Sequence, residues 1–259
     1  MPFDAVLELS SLDGTTGFQI NGEAAYDRSG WRVASAGDIN GDGIDDLIIG
    51  AATADPNGNG SGASYVVFGR TTGFSATLNL STLNGTTGFK INGEAGADYS
   101  GGSVASAGDV NGDGIDDLII GALRADPNGS SSGASYVVFG RTTGFAATLN
   151  LSTLNGANGF QINGEVAGDF SGVSVGSAGD INGDGVDDLI IGHTAPTPMG
   201  ITPGPVMLCS DAQPASWPTW SCPPSTEPMA SRSTARSPAT AAAVRSPRRA
   251  TLTAMASTT

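Results

Sequence analysis

Apolar positions in this chain come in brief runs whose period changes every few residues. Phe18 and Ile20 alternate with polar neighbours, Val33 leads into Ala34-Ser35-Ala36, Leu47-Ile48-Ile49 and Tyr65 to Phe68 are continuous, and Leu78 and Leu80 alternate. Gly, Asn, Asp or Pro bounds each run, the pattern of short strands joined by tight turns. A continuous run suits a strand covered on both faces, and an alternating one a strand with one face wet. No run reaches the roughly 18 apolar residues of a membrane span.

These runs recur. Shifted by 71 residues, the segment Ala36 to Gly50 superposes on Ala107 to Gly121 and on Ala178 to Gly192 with only Ile-to-Val changes. Gly17 to Gly22 finds its match at Gly88 and Gly159, and Tyr65 to Gly69 at Tyr136 to Gly140. A period this long, made of four or five short strands, reads as a propeller blade or a stacked array, with a sandwich of hairpins as the alternative. The fold class expected is all-β: a partial β-propeller of three 71-residue blades over residues 1–192, followed by a disordered tail over 193–259.

The most regular part of the repeat is an Asp-rich loop. Asp38, Asn40 and Asp42 occupy alternate positions, Gly43 permits a sharp turn, and Asp46 follows at the ninth position. This spacing gathers oxygens around one centre and suits calcium, which takes six to eight of them. The expected ligands are the carboxylates of Asp38, Asp42 and Asp46, the amide oxygen of Asn40 and the backbone carbonyl of Ile44. The later copies supply Asp109, Asn111, Asp113, Ile115 and Asp117, then Asp180, Asn182, Asp184, Val186 and Asp188. An EF-hand is excluded, because its twelfth position needs a bidentate Glu where Ile49, Ile120 and Ile191 stand. Asp45, Asp116 and Asp187, at the eighth position, are read as solvated. Glu23, Glu94 and Glu165, with Asp27, Asp98 and Asp169, recur in every copy and are read as blade structure.

Over residues 1–192 the chain resembles the FG-GAP repeats of integrin alpha chains and of many secreted bacterial proteins. The motif Asp-x-(Asp/Asn)-x-Asp-Gly-x-x-Asp is matched at Asp38 to Asp46, Asp109 to Asp117 and Asp180 to Asp188. The resemblance implies a seven-bladed propeller with calcium in β-hairpin loops. Tyr99-Ser100-Gly101 and Phe170-Ser171-Gly172 stand where that family has Phe-Gly.

Charge and composition divide the chain at Gly192. Residues 1–192 carry 23 acidic and 6 basic side chains, whereas both cysteines, the single histidine and most of the prolines lie beyond. The acidic body argues against nucleic acid or an anionic membrane as partner, and lacks the usual catalytic bases and thiols. The tail reads as low-complexity Ser/Pro/Ala/Arg sequence. Yet if each codon is rebuilt from the third base of one residue and the first two of the next, Ala250 to Thr259 can encode Asp-Val-Asn-Gly-Asp-Gly-Ile-Asp-Asp, the Asp-rich loop again. Thr197 to Ala212 similarly permits Asp-Pro-Asn-Gly-Asn-Asn-Ser-Gly-Ala-Ser-Tyr-Val-Val-Phe-Gly-Arg, close to Asp126 to Arg141. The tail is therefore read as a fourth repeat in a shifted frame, with its break at Gly192 or His193.

The function expected is a non-enzymatic, calcium-dependent binding module, extracellular or at a cell surface, whose partner is a protein or a glycan. No basic N-terminal start followed by an apolar run marks a signal peptide, so an export signal lost with the frame is expected. The alternatives are the scaffold of a secreted hydrolase or lyase, and a truncated product without function.

Overall fold

The computed structural model describes residues 8–197 and 200–209, with side chains described as far as Thr194. Among these residues the structure is all-β apart from three single-turn 3₁₀ segments. Three equivalent strands, β2 (Arg32–Gly37), β7 (Ser103–Gly108) and β12 (Ser174–Gly179), lie side by side as the inner strands of successive blades. Each turns through its Asp-rich loop into an antiparallel second strand: β3 (Asp46–Ala51), β8 (Asp117–Ala122) and β13 (Asp188–Thr197). The third strands β4 (Ala63–Val67), β9 (Ala134–Val138) and β14 (Gly200–Cys209) pair antiparallel with these.

The fourth strand comes from the next repeat. β6 (Gly88–Asn92) completes the first blade against β4, and β11 (Gly159–Asn163) completes the second against β9. Repeat and blade are therefore out of step, which a periodic sequence cannot reveal because its starting point is arbitrary. Outside this frame, β10 (Thr148–Asn150) adds in parallel to β6, as β5 (Thr77–Asn79) does to β1 (Gln19–Asn21). Asn92 and Asn150 join side chains across the first of these pairs at 2.9 Å, and Asn21 and Asn79 across the second at 2.9 Å.

The core lies between blades. Ala36, Ile48 and Val66 of the first blade meet Val104, Leu118, Ile120 and Tyr136 of the second. Ile119 and Val137 on the opposite face of the second blade meet Leu189 and Ile191 of the third. Covered on both faces, β8 is buried throughout, which is why its sequence is a continuous apolar run. The outer faces of the array lack this cover: Val33 is 65% exposed and Leu47 39%, whereas their counterparts Val104 and Leu118 are 8% and 0%.

Each inner strand ends in a bulge that aims the chain into its loop. Register shifts between Ser35 and Gly37, Ser106 and Gly108, and Ser177 and Gly179. The three glycines hold φ of 65°, 72° and 67° and donate to the serine hydroxyls at 3.2, 3.1 and 3.0 Å. A Cβ on Gly37 or Gly108 would collide with Asp116 or Asp187 of the following blade.

The tail departs from expectation at its start. Residues 193–197 continue β13, and 200–209 form β14, so this part is strand rather than disorder. β14 keeps the register of the preceding copy: Leu189 faces Cys209 and Gly192 faces Val206, as Leu118 faces Val138 and Gly121 faces Ser135. Ladder hydrogen bonds use backbone groups, so the open edge of β13 accepts a strand of unlike composition, although Pro203 and Pro205 of β14 bring no N–H to it. The rest of the expected tail, 210–259, lies outside the described residues.

Candidate metal centre

Each Asp-rich loop is wound on its own first carboxylate. Asp38 Oδ1 accepts the Asp42 N–H at 2.9 Å and Oδ2 the Gly43 N–H at 2.7 Å, while Asp42 Oδ1 accepts the Ile44 N–H at 2.9 Å. The second loop repeats this: Asp109 accepts from Gly112, Asp113 and Gly114, Asn111 Oδ1 from Asp113, and Asp113 Oδ1 from Ile115. In the third, Asp180 accepts from Gly183, Asp184 and Gly185, Asn182 Oδ1 from Asp184, and Asp184 Oδ1 from Val186. These are Asx turns, in which short acceptor side chains replace the backbone's own partners. They require left-handed glycines, such as Gly41 at φ 71° and Gly43 at 85°.

The ninth-position carboxylates behave differently. Asp46, Asp117 and Asp188 open their second strands at 0%, 0% and 1% exposure. Asp46 Oδ1 accepts the Gly69 N–H at 2.7 Å, and Asp117 Oδ1 the Gly140 N–H at 2.8 Å, tying the loop to the end of the third strand. Asp117 Oδ2 takes the Val110 N–H at 3.1 Å and Asp188 Oδ2 the Ile181 N–H at 2.9 Å. Asp46 Oδ2 is buried without a hydrogen-bond partner. Burial, reinforced by Asp42 and Asp38, pushes the Asp46 carboxyl up to about 7. The same burial, with Asp113 and Asp109 adding to it, pushes Asp117 up to about 8. An acid raised first by burial and further by two neighbouring carboxylates fits a hard cation, which would supply the missing counter-charge.

Among the described residues no three carboxylate, thiol or imidazole side chains converge closely enough to form a ready cage. The loop carboxylates are engaged by amides instead, and like charges drawn together without a counter-ion repel one another. The predicted ligand residues of each copy thus share one loop, while their oxygens point largely to backbone N–H groups.

Two residues have a part that spacing did not disclose. Asp116 Oδ2 accepts the Asp38 N–H at 2.8 Å, and Asp187 Oδ2 the Asp109 N–H at 3.0 Å. The eighth-position carboxylates of the second and third loops therefore bridge to the loop of the preceding blade, rather than standing merely solvated. Asp45, in the first loop, is exposed. Two of the repeated glutamates tie to the sheet: Glu23 Oε2 accepts the Tyr65 hydroxyl at 2.5 Å, and Glu94 Oε2 the Tyr136 hydroxyl at 2.8 Å. Asp98 and Asp169 close tight turns by accepting the Ala95 and Val166 amides.

Stacked blades joined through equivalent Asp-rich hairpins meet an independent comparison here: the FG-GAP repeat family matches residues 29–67 and 100–138. The chain carries FG-GAP repeats. It is similar to Integrin alpha pat-2 of Caenorhabditis elegans, 35% identical over 179 residues, which cover 66% of this chain and 13% of that protein. Integrin alpha-5 of Xenopus laevis is 30% identical over 189 residues, covering 71% of this chain and 16% of that protein. Phosphatidylinositol-glycan-specific phospholipase D of Bos taurus is 30% identical over 172 residues, covering 64% and 19%. The FG-GAP segment thus spans less than a fifth of each of these relatives. No helix among the described residues is long and apolar enough to cross a membrane.

Proposed function

We propose that these FG-GAP repeats form a calcium-stabilised, non-catalytic module that presents a ligand-binding surface outside the cell. The observation carrying this reading is the wholly buried ninth-position aspartate at the foot of each loop, flanked by two more carboxylates. Burying an acid beside like charges is costly unless a cation or a proton compensates it. Asp38, Asn40, Asp42 and Asp46, with the Ile44 carbonyl, would hold the first ion. Asp109, Asn111, Asp113, Asp117 and Ile115 would hold the second, and Asp180, Asn182, Asp184, Asp188 and Val186 the third. Calcium would neutralise each loop and free its geometry from repulsion. Extracellular calcium modules bind at about 10⁻⁴–10⁻³ M, so the ion would serve as a structural part outside cells.

Thermal unfolding of the full chain with millimolar calcium and with chelator tests this. Binding to the folded state adds RT ln(1 + [L]/Kd), about 2.7 kcal/mol per site at a hundredfold excess. Asp42→Ala, Asp113→Ala and Asp184→Ala should each remove part of the increment; no increment in the unaltered protein overturns the reading.

The similarity to a phospholipase D favours a second reading, in which the repeats are the scaffold of a longer enzyme. Finding a catalytic domain encoded in frame with the repeats would establish it.

We also infer that the chain leaves its frame at Gly192 or His193. Ala51 and Ala122, both fully buried, are answered by His193, which is buried at 6% exposure with neither ring nitrogen hydrogen-bonded. An unsatisfied buried polar group costs about 1–3 kcal/mol, a misfit that begins where the repeat stops being legible. Resequencing through this junction tests the inference; codons that rebuild no repeat in the shifted frame would overturn it.

A further inference from the structure

The end of the inner strands opposite the Asp-rich loops carries a different chemistry. β2 enters at Arg32 and delivers the chain to its loop after Gly37, about 20 Å away for six residues of strand. Around the Arg32 end lies an open cavity of about 390 Å³ lined from all three blades. That is the lower part of the ~300–1,000 Å³ range of small-ligand sites.

Its lining residues fall on five positions of the repeat, and the copies differ at every one. Arg28 answers to Tyr99, Trp31 to Gly102 and Val173, Ala52 to Leu123, and Thr53 to Arg124. Arg32, at the fifth position, answers to Ser103 and Ser174. The Asp-rich loops change only between Ile and Val over the same repeats. A cavity needed only for folding would carry the same side chains in each copy; one asymmetric ligand on a repetitive frame requires them to diverge.

The divergence brings positive charge and aromatic rings together. Of the six basic side chains in residues 1–192, Arg28, Arg32 and Arg124 line this cavity. Among the described residues the ion pair is Lys90 with Glu23 at 2.6 Å, which involves none of these three arginines. Arg28 lies over the Trp31 ring, 5.5 Å from its centroid, Arg124 over Tyr99 at 5.2 Å, and Arg32 Nε donates to the Gly102 carbonyl at 3.1 Å. Such contacts hold each guanidinium in place while leaving N–H groups to donate outward. Trp31 is 63% exposed.

We propose that this cavity binds an acidic sugar, a pyranose carrying a carboxylate or sulfate within a glycan chain. The proposal rests on reading the repeats as a ligand-binding module and names its ligand class. Arginine forks take paired acidic oxygens, and the exposed aromatic surface covers the C–H face of a sugar ring. An acidic peptide would gain from an open strand edge, whereas strand ends and turns line this cavity.

The test is calorimetric titration of the full chain in millimolar calcium with tetrasaccharides of hyaluronan, chondroitin sulfate and chitin. Binding of either acidic tetrasaccharide, weakening with salt and absent for the neutral one, is expected. Hyaluronan binding would make the carboxylate sufficient; binding of chondroitin sulfate alone would make sulfate the recognised group. Arg32→Gln and Arg124→Gln should each weaken affinity at least tenfold, while Arg141→Gln, outside the cavity, should change it less than twofold. The proposal fails if no acidic tetrasaccharide binds, if the neutral one binds equally, if tetra-aspartate displaces the sugar equally well, or if Arg141→Gln costs as much. A calcium-induced thermal shift measured on the same samples separates the two readings: its absence beside intact sugar binding would overturn the calcium assignment alone.

Discussion

Leu47 and Leu118 occupy the same repeat position, the same strand and the same register, facing Val67 and Val138. They differ in what covers them: Leu118 is fully buried against the first blade, and Leu47 is 39% exposed on the outer face of the array. Leu118→Ala removes three carbons from an enclosed site and leaves a cavity, a loss of about 3 kcal/mol or more. Leu47→Ala forfeits only the transfer term for partial burial, about 1.5 kcal/mol at about 0.8 kcal/mol per methylene, with no closed void behind it. With a urea m-value of about 3 kcal/mol/M, the midpoint should fall by about 1 M for Leu118→Ala and about 0.5 M for Leu47→Ala, with m unchanged. Circular dichroism at micromolar protein in chelator measures both. Equal falls would refute the reasoning, because they would mean that Leu47 is covered in solution as fully as Leu118.

Asp116→Ala should destabilise by about 1.5–3 kcal/mol through loss of the charged acceptor for the Asp38 amide, while Asp116→Asn, which keeps an acceptor, should restore most of it; calcium-induced stabilisation should survive in both, and its loss would make Asp116 a ligand. Tyr136→Phe should cost about 1 kcal/mol by denaturant titration, since the Glu94 carboxylate loses its hydroxyl donor. In chelator, the raised carboxyls of Asp46 and Asp117 hold protons in the folded state that an unfolded chain, at about 3.8, gives up. Stability should therefore fall as pH rises from about 4 through 7 to 8, and calcium, competing with those protons, should stabilise more at pH 8 than at pH 5.5; a calcium increment independent of pH would contradict it.

Much of the fold was legible because the strands are short and their cover is uniform: Leu118-Ile119-Ile120 is apolar throughout since blades press on both sides of β8. The loops were legible for a related reason, since Asx turns need particular residues at particular spacings. What escaped reading was long-range. Asp116 reaches Asp38 across 78 positions, and β6 joins a blade other than that of its own repeat; neither leaves a local mark. Nor did matching the copies disclose the arginine-lined cavity, because matching emphasises what agrees. The signal lay in the disagreements at Arg28, Trp31, Arg32 and Arg124. At the tail, local composition pointed to disorder from His193, whereas the open backbone edge of β13 pairs with β14 despite the missing N–H groups of Pro203 and Pro205.

The lending of β6 and β11 to the preceding blades makes the array resemble overlapping shingles, in which no copy is complete by itself. A fragment cut at the sequence borders, such as residues 17–87, would keep the β1–β5 pair but lose β6 and leave β4 with a bare edge. One cut from Arg32 to Asn92 would hold a whole four-stranded sheet. For a gene that lengthens by copying its own segments the same overlap is permissive: any 71-residue duplication, wherever it begins, inserts one full blade and hands its last strand onward unchanged.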